Sequence, residues 1–268
     1  MRDLNHLSEI FHSYDTYVID LWGVMHNGIS LNSKAIEAIE KLRENSKKIV
    51  FLSNAPRPSS KVIEFLKRMK MDEKFLSKVI TSGEAAMHAI NQNKFGEKFY
   101  HLGPSRDQSL FKKVLQNKTT LDKSDFIICT GLFDDYETDL NYYKNLLKDH
   151  TTKKFICTNP DLIVHRGDVE ELCAGAVAKT FESLGGKVIY YGKPYEEIYK
   201  MCFEPEEKVL AIGDNLRTDI KGANNLNIDS LFITNGVHKN EIKNNEILTT
   251  LLKKYNVKTN FFQKELEW

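Results

Sequence analysis

An apolar run near the N-terminus ends on a carboxylate and reads Tyr17-Val18-Ile19-Asp20-Leu21-Trp22-Gly23-Val24. Its β-branched and aromatic residues crowd together without helical spacing, which predicts a buried strand. In open α/β sheets, ligands bind at the carboxyl ends of the strands, so Asp20 is well placed for chemistry. A capping or turn aspartate after a strand is the competing interpretation. This stretch by itself supports both interpretations equally.

Strand-like runs and helical periodicities alternate on either side of this stretch. The further predicted strands are 48–52, 79–82, 98–102, 125–130, 154–158, 188–191, 208–212 and 230–234. Helical spacing of apolar residues recurs between many of them, and this alternation predicts a parallel sheet with helices on its faces. Three middle strands with their helices predict a separate α/β unit at 86–187, which divides a core made of 1–85 and 188–268. The polar tail, 253–268, is expected to be a surface helix or a docked end.

Composition excludes several classes of partner. The 268 residues carry 38 basic and 37 acidic side chains, a net charge of +1, so no overall field attracts nucleic acid or an anionic membrane. No run of about 18 apolar residues could span a bilayer, and the N-terminus has no apolar signal region. Four cysteines occur without a C-x-x-C pair, which argues against a zinc site. The expected setting is reducing and cytoplasmic, and the cap is a possible surface for a homo-oligomer.

Polar groups follow the predicted ends of several strands: Asp20, Ser53-Asn54, Lys193, Asp214 and Asp219. In a doubly wound sheet such positions converge on one edge. Carboxylates that meet there repel one another unless a cation neutralises them, and oxygen ligands suit a hard ion such as Mg²⁺ beside a phosphate. Lysine, hydroxyl and amide groups hold phosphate oxygens. The set predicts phosphoryl transfer with an aspartate as nucleophile.

Each of these groups also has a purely structural interpretation. Ser53-Asn54 precedes Pro56 and could form a plain turn, and Gly213-Asp214-Asn215 could form an Asx turn. Asp219 could cap the helix that begins near Ile220. Asp134 and Asp135 are expected to be surface residues.

The ordered set resembles the haloacid dehalogenase superfamily of aspartate-nucleophile phosphotransferases, and most closely its subclass IIA of nucleotide and nitrophenyl-phosphatase-like proteins. The resemblance spans roughly residues 15–238. It rests on Asp20-Leu21-Trp22-Gly23-Val24, Leu52-Ser53-Asn54, Thr158-Asn159-Pro160-Asp161, Gly192-Lys193-Pro194 and Gly213-Asp214-Asn215-Leu216-Arg217-Thr218-Asp219-Ile220. It implies a Rossmann-like, doubly wound core with an inserted α/β cap.

The resemblance also implies roles for the residues that would hold phosphate. Asp20 would attack phosphorus and form an aspartyl-phosphate. Ser53 would bind the transferring phosphoryl group with Asn54 in support. Lys193 would neutralise charge on the nucleophile and on the phosphate, so that positioning and charge stabilisation do most of the work.

A Mg²⁺ site is implied in the same way. Asp214 would bind the ion together with Asp20 and the main-chain carbonyl of Trp22. Asp219 would lie close by, either as a ligand or just behind the ligands.

One position departs from the family pattern. Phosphatase members carry a second aspartate two residues after the nucleophile, as general acid and base, whereas this chain has Trp22, whose indole offers only an N–H donor. Three outcomes are open: His26 or a cap residue supplies the proton, the substrate has a good leaving group, or the protein binds a phosphorylated ligand with little turnover. The cap residues Asn159, Asp161, His165 and Arg166 could face the core and contact substrate, although a solvated loop is an equal alternative.

The leading hypothesis is a Mg²⁺-dependent phosphatase acting on a small phosphorylated metabolite, either a sugar phosphate or a nucleotide monophosphate. The second is a phosphometabolite-binding or regulatory protein with a vestigial site. A third, hydrolysis of another kind of bond through Asp20, fits Lys193 and the paired aspartates less well.

Overall fold

The computed structural model describes all 268 residues and contains three sheets with helices packed around them. The strands are β1 (Arg2–Asp3), β2 (Thr16–Ile19), β3 (Lys48–Ser53), β4 (Val79–Thr81), β5 (Phe99–Leu102), β6 (Phe126–Cys129), β7 (Lys154–Cys157), β8 (Ile163–Arg166), β9 (Val169–Leu172), β10 (Val188–Tyr190), β11 (Val209–Gly213), β12 (Asp229–Ile233) and β13 (Phe261–Gln263). The helices are α1 (Ser33–Glu44), α2 (Ser59–Arg68), α3 (Ser82–Asn91), α4 (Leu140–Leu147), α5 (Ala174–Ser183), α6 (Glu196–Tyr199), α7 (Lys221–Leu226) and α8 (Asn245–Tyr255). None of these helices is long and apolar enough to cross a membrane.

The core sheet is parallel throughout and has the order β1-β13-β12-β11-β2-β3-β4. Strand β2 lies at its centre between β11 and β3, and all four of its residues are buried. Tyr17 and Ile19 pack into the apolar cluster on one face, while Val18 packs into the cluster on the other. A central parallel strand covered on both faces requires the nearly continuous apolar run that the sequence shows. The predicted α/β fold with a doubly wound parallel core is confirmed.

The second sheet, β10-β7-β6-β5, is also parallel, and the antiparallel hairpin β8–β9 is attached to it in sequence. Helices α4 and α5 cover one face, where Phe155, Val177 and Phe181 are fully buried. Helix α3 contributes Met87 and Ile90 to the other face. This unit is the inserted α/β cap expected from the sequence.

The residue-level division into 1–85 plus 188–268 and 86–187 stays a prediction, and two elements lie across its boundaries. Strand β10 pairs in parallel with β7, so residues 188–190 belong to the cap sheet rather than to the core. The boundary at 85/86 falls inside α3, whose Ala85 packs on the core while Ala86 packs on the cap. Strand length and polarity do not show which sheet a strand joins, because both sheets are parallel and apolar.

The C-terminal tail is a docked end. After α8, strand β13 inserts between β12 and β1 at the edge of the core sheet. Trp268 packs against Phe11, with ring centroids 4.8 Å apart. The two chain ends therefore complete the core sheet together.

Candidate active site

Three neighbouring strands of the core sheet deliver polar residues to one edge. Asp20 follows β2, Ser53 ends β3 and Asp214 follows β11. The backbone N–H of Asp20 donates to the carbonyl of Ile212 (2.9 Å), which ties the end of β2 to the neighbouring strand. All three side chains are almost fully buried. This is the convergence expected for the carboxyl edge of a parallel sheet.

Lys193 lies between two carboxylates of this cluster. Its ammonium donates to Asp219 Oδ1 (2.6 Å) and also to Asp20 Oδ1, and its side chain is 3% exposed. Burial by itself would lower the pKa of Lys193, but the charges of Asp20 and Asp219 outweigh burial and hold that pKa well above its ordinary value. Lys193 is therefore a fixed positive charge beside the proposed nucleophile.

Asn54 holds the main chain of Lys193 rather than presenting a free amide to the cavity. Its Oδ1 accepts the Lys193 N–H (2.8 Å), and its Nδ2 donates to the Lys193 carbonyl (3.3 Å). Ser53 accepts the N–H of Ala55 at Oγ (3.2 Å), which leaves the hydroxyl proton available to a ligand. Ser53 thus keeps a donor for phosphate, whereas the side chain of Asn54 fixes the lysine.

The acidic loop after β11 is held by main-chain donors. Asp214 Oδ2 accepts the N–H of Val237 (2.6 Å), and Asp219 Oδ2 accepts the N–H of Asn215 (3.1 Å). Residues Leu216–Ile220 form a wide π-helical turn, which brings Asp219 back toward Asp214. Any side chain at position 236 would overlap the carboxylate of Asp214, so this close approach of two loops requires a glycine.

His238 supports the same loop, a role that the sequence analysis missed. Its Nε2 accepts the N–H of Leu216 (3.3 Å), while its Nδ1 lies 2.7 Å from a carboxylate oxygen of Glu241. Burial lowers the pKa of His238, which favours the neutral ring that can accept a hydrogen bond. A histidine three residues before a glutamate carries no signal of this contact.

The cluster fits a divalent cation. Carboxylate oxygens of Asp20, Asp214 and Asp219 all lie within 4.8 Å of one another, and one ammonium cannot balance three carboxylates. Burial, followed by the charges of its neighbours, raises the pKa of Asp214 well above its ordinary value, and burial raises that of Asp20 to about 8. The carbonyl of Trp22 accepts no hydrogen bond from the protein, so it is free to serve as a ligand. Oxygen donors of this kind suit a hard ion.

The side chain of Trp22 turns toward the cap. Its indole N–H donates to the main-chain carbonyl of His165 in β8 (2.8 Å). The ring lies parallel to that of Phe65 at a centroid distance of 6.5 Å, and the guanidinium of Arg166 lies 5.1 Å from the ring centroid. Position 22 therefore supplies a contact between core and cap instead of a carboxylate.

His26 is unsuited to supply the missing proton. It is 4% exposed, and its Nδ1 accepts the N–H of Gly28 (3.0 Å). Burial, with a smaller contribution from Arg166, lowers the pKa of His26 to about 4. The ring is therefore neutral at pH 7 and has little acid character.

A cavity of about 1020 Å³ lies between the acidic cluster and the cap. The four cap residues singled out in the sequence, Asn159, Asp161, His165 and Arg166, all line it. Asp161 Oδ1 accepts hydrogen bonds from Asn215 Nδ2 and Thr218 Oγ1, both at 3.1 Å, so it joins the end of β7 to the acidic loop.

The β8–β9 hairpin forms part of this cavity wall, whereas the sequence analysis leaves open whether His165 and Arg166 face the core or lie in a solvated loop. Its turn, Gly167-Asp168, is a sequence signal for a two-residue hairpin, and Gly167 has the positive φ (63°) that such turns use. Elsewhere on the cap, Asp134 is exposed and pairs with Arg106 (2.6 Å), and Asp135 is exposed, as expected.

Comparisons with known proteins identify relatives over most of the chain. A family model for haloacid dehalogenase-like hydrolases matches residues 17–115, and a second HAD-hydrolase-like model matches residues 190–254. The 5'-nucleotidase YutF of Bacillus subtilis is 26% identical over 242 residues, covering 85% of this chain and 90% of that protein. An acid sugar phosphatase of Staphylococcus aureus is 28% identical over 238 residues, covering 84% and 88%.

Solved structures show the same fold. A haloacid dehalogenase-like hydrolase from Brucella suis superposes with a TM-score of 0.86 at 27% identity, covering 99% of this chain and 100% of that one. The 4-nitrophenylphosphatase of Thermotoga maritima gives a TM-score of 0.71 at 26% identity, covering 96% of both chains. The chain belongs to the haloacid dehalogenase-like hydrolases, and its relatives in this family are phosphoric monoester hydrolases.

Proposed function

We propose that this protein is a Mg²⁺-dependent phosphatase that cleaves a small phosphorylated metabolite through an aspartyl-phosphate on Asp20. The observation that carries this proposal is the buried cluster in which Lys193 joins Asp20 to Asp219 beside Asp214. The names of its relatives, a 5'-nucleotidase and acid sugar phosphatases, support a nucleotide monophosphate or a sugar phosphate as the substrate class.

The residues suit an in-line displacement. The hydrogen bond of Asp20 to Lys193 goes through Oδ1, which leaves Oδ2 for attack on phosphorus. The P–O bond to Oδ2 forms as the bond to the leaving oxygen breaks, and water then cleaves the aspartyl-phosphate and regenerates Asp20. The Ser53 hydroxyl and the Lys193 ammonium bind the equatorial oxygens throughout. Mg²⁺ held by Asp20, Asp214 and Asp219 would supply neutralisation of the phosphate charge.

This site has no evident acid to protonate the leaving group. The indole N–H of Trp22 is too weakly acidic to donate a proton and is bound to the His165 carbonyl. The neutral ring of His26 is also a poor acid. General acid–base catalysis typically contributes about 10²- to 10⁴-fold. We therefore expect slow turnover of alkyl phosphates and better turnover of esters whose leaving group is stable as an anion.

The same observation supports a second function, binding of a phosphorylated metabolite with weak or no turnover. In that case Lys193 and Ser53 would hold phosphate as above, and the cap would respond to the bound ligand. The two functions differ in whether phosphate is released.

Phosphate release from purified protein with Mg²⁺ tests the proposal, using a panel of sugar phosphates, nucleotide monophosphates and aryl phosphates. The matched control is Asp20→Asn, which keeps the size of the side chain but removes the nucleophile. Release above this control establishes the phosphatase. Thermal stabilisation by a panel member without release above the control would instead support the binding protein.

A further inference from the structure

Trp22 occupies the position of the missing acid, yet its side chain contacts the cap. We propose that Trp22 is a positioning residue that anchors the β8–β9 hairpin across the substrate cavity and so sets the affinity for substrate. The inference rests on the proposed function, since it assigns the hairpin to that same site.

The anchor is a directional contact between the nucleophile loop and the cap. Trp22 follows Asp20 by two residues, and its Nε1–H donates to the carbonyl of His165 at 2.8 Å. This carbonyl lies in β8, and His165 lines the cavity. The hydrogen bond therefore fixes the position of β8, which forms part of the cavity wall, relative to the end of β2, where Asp20 lies.

Side chains from the core and from the cap pack near the indole. Phe65 of α2 lies parallel to one side of the Trp22 ring (3° between the planes), and the Arg166 guanidinium lies 5.1 Å from the ring centroid. Arg166 is itself held by Glu171 of β9 (2.7 Å). The ring therefore contacts a core helix and strand β8 of the hairpin, while it also lines the cavity.

Two further contacts join the hairpin to the core near Trp22. The N–H of Gly167 at the hairpin turn donates to the carbonyl of Asn27 (3.0 Å). At the tip, Lys239 pairs with Asp168 (3.0 Å), whose side chain is fully exposed. A surface ion pair of this kind contributes little, so we assign most of the anchoring to the partly buried Trp22 contact.

A substrate must fit between the acidic cluster and this hairpin, and its phosphate end is fixed by Ser53 and Lys193. The hairpin then contacts the remainder of the molecule, the leaving group. Loss of the anchor should loosen the hairpin and weaken binding, whereas the groups that act on phosphorus stay in place.

The test compares Trp22→Phe with wild type by amide hydrogen exchange of residues 163–172 and by steady-state kinetics. Phenylalanine keeps an aromatic ring but removes the N–H donor. We expect faster exchange in the hairpin, unchanged exchange in β2 and β11, and a KM raised about 3- to 30-fold, the size of one lost hydrogen bond and a weakened cation–π contact, with kcat within about threefold.

Asp168→Asn is the matched control, because it removes only the exposed ion pair of the same hairpin, and it should change KM by less than about twofold. Arg166→Met is a second variant that leaves Trp22 intact, and it should raise hairpin exchange to an intermediate degree.

Unchanged hairpin exchange in both Trp22→Phe and Arg166→Met would overturn the inference, as would a fall in kcat alone. The exchange measurement needs no substrate. If wild type releases no phosphate, the proposed function fails while exchange still decides whether Trp22 anchors the hairpin.

Discussion

The carboxyl edges of the core sheet and of the cap sheet differ in whether their buried charges are balanced. At the carboxyl edge of the core sheet, one ammonium contacts two of three clustered buried carboxylates, and the negative charge of the three is not balanced within the protein. At the corresponding edge of the cap sheet, the buried polar groups have partners within the protein, and the one buried carboxyl that follows β5, Asp107, pairs with Arg57 (2.6 Å). His101 Nε2 lies 2.9 Å from Thr130 Oγ1, and Thr158 donates to the carbonyl of Cys129 (3.0 Å).

The difference shows that the carboxyl edge of a parallel sheet does not by itself make a functional site. At the cap edge, the buried polar groups already have partners within the protein, so their contacts stabilise the fold. The core edge leaves charge that a cation and a phosphate could balance. Substitutions at the two edges should separate catalysis from stability.

The largest expected effect comes from Lys193→Met, which removes the positive charge at the core edge and keeps a side chain of similar length. Loss of one fixed charge at the reacting phosphate should lower kcat/KM about 100- to 1,000-fold. Steady-state kinetics on the best ester of the substrate panel measures this. A decrease of less than tenfold would show that Lys193 is not part of the charge-stabilising machinery.

The next effect is on stability and follows from adding a divalent ion. Mg²⁺ at about 100 times its Kd should stabilise the folded state by about 2.7 kcal/mol, because the ion binds the folded cluster and not the unfolded chain. For a chain of this size that corresponds to a rise in Tm of roughly 5–10 °C. Melting in EDTA and in MgCl2 measures the difference, and Asp214→Asn should reduce it. Equal Tm values in the two conditions would argue against a metal site at this edge.

The metal-free protein should lose stability as the pH rises. Burial raises the pKa of Asp20 to about 8 and also raises that of Asp214, so the folded state binds more protons than the unfolded state, in which a free aspartate has a pKa of about 3.9. Stability from these two carboxyls is thus present at low pH and decreases between about pH 4 and pH 8.

Melting in EDTA across this range checks the direction, and Asp20→Asn should flatten the profile. A Tm that rises from pH 5 to pH 8 in wild type, with no change of slope in Asp20→Asn, would contradict the unbalanced charge at the core edge.

The smallest effect on turnover is expected at the cap edge. His101→Phe removes the buried hydrogen bond between the imidazole and the Thr130 hydroxyl and should cost about 1–3 kcal/mol of stability. Since the imidazole takes no part in the acidic cluster, kcat/KM should stay within about twofold of wild type. Denaturant unfolding and the kinetic assay measure the two quantities on one preparation, and a large loss of activity at unchanged Tm would break the contrast between the edges.

The sequence by itself determined the α/β fold and the ordered polar residues at the strand ends. Both follow from local patterns: buried parallel strands need continuous apolar runs, and their carboxyl ends meet at one edge. For the same reason Asp20, Ser53 and Asp214 could be placed near one another without coordinates, and the family could be identified from the order of its motifs.

Only the tertiary structure decided what Asn54 and Trp22 do. Asn54 bonds the main chain of Lys193, 139 residues away, and Trp22 bonds the main-chain carbonyl of His165, 143 residues away. Every non-proline residue has the same main-chain groups, so the partner's side chain gives no signal of such contacts. The sequence also did not show that β10 belongs to the cap sheet, because its apolar run suits either parallel sheet. Trp22 therefore stood out in the sequence only as a missing carboxylate, and the fold reveals it as a contact that joins the nucleophile loop to the cap.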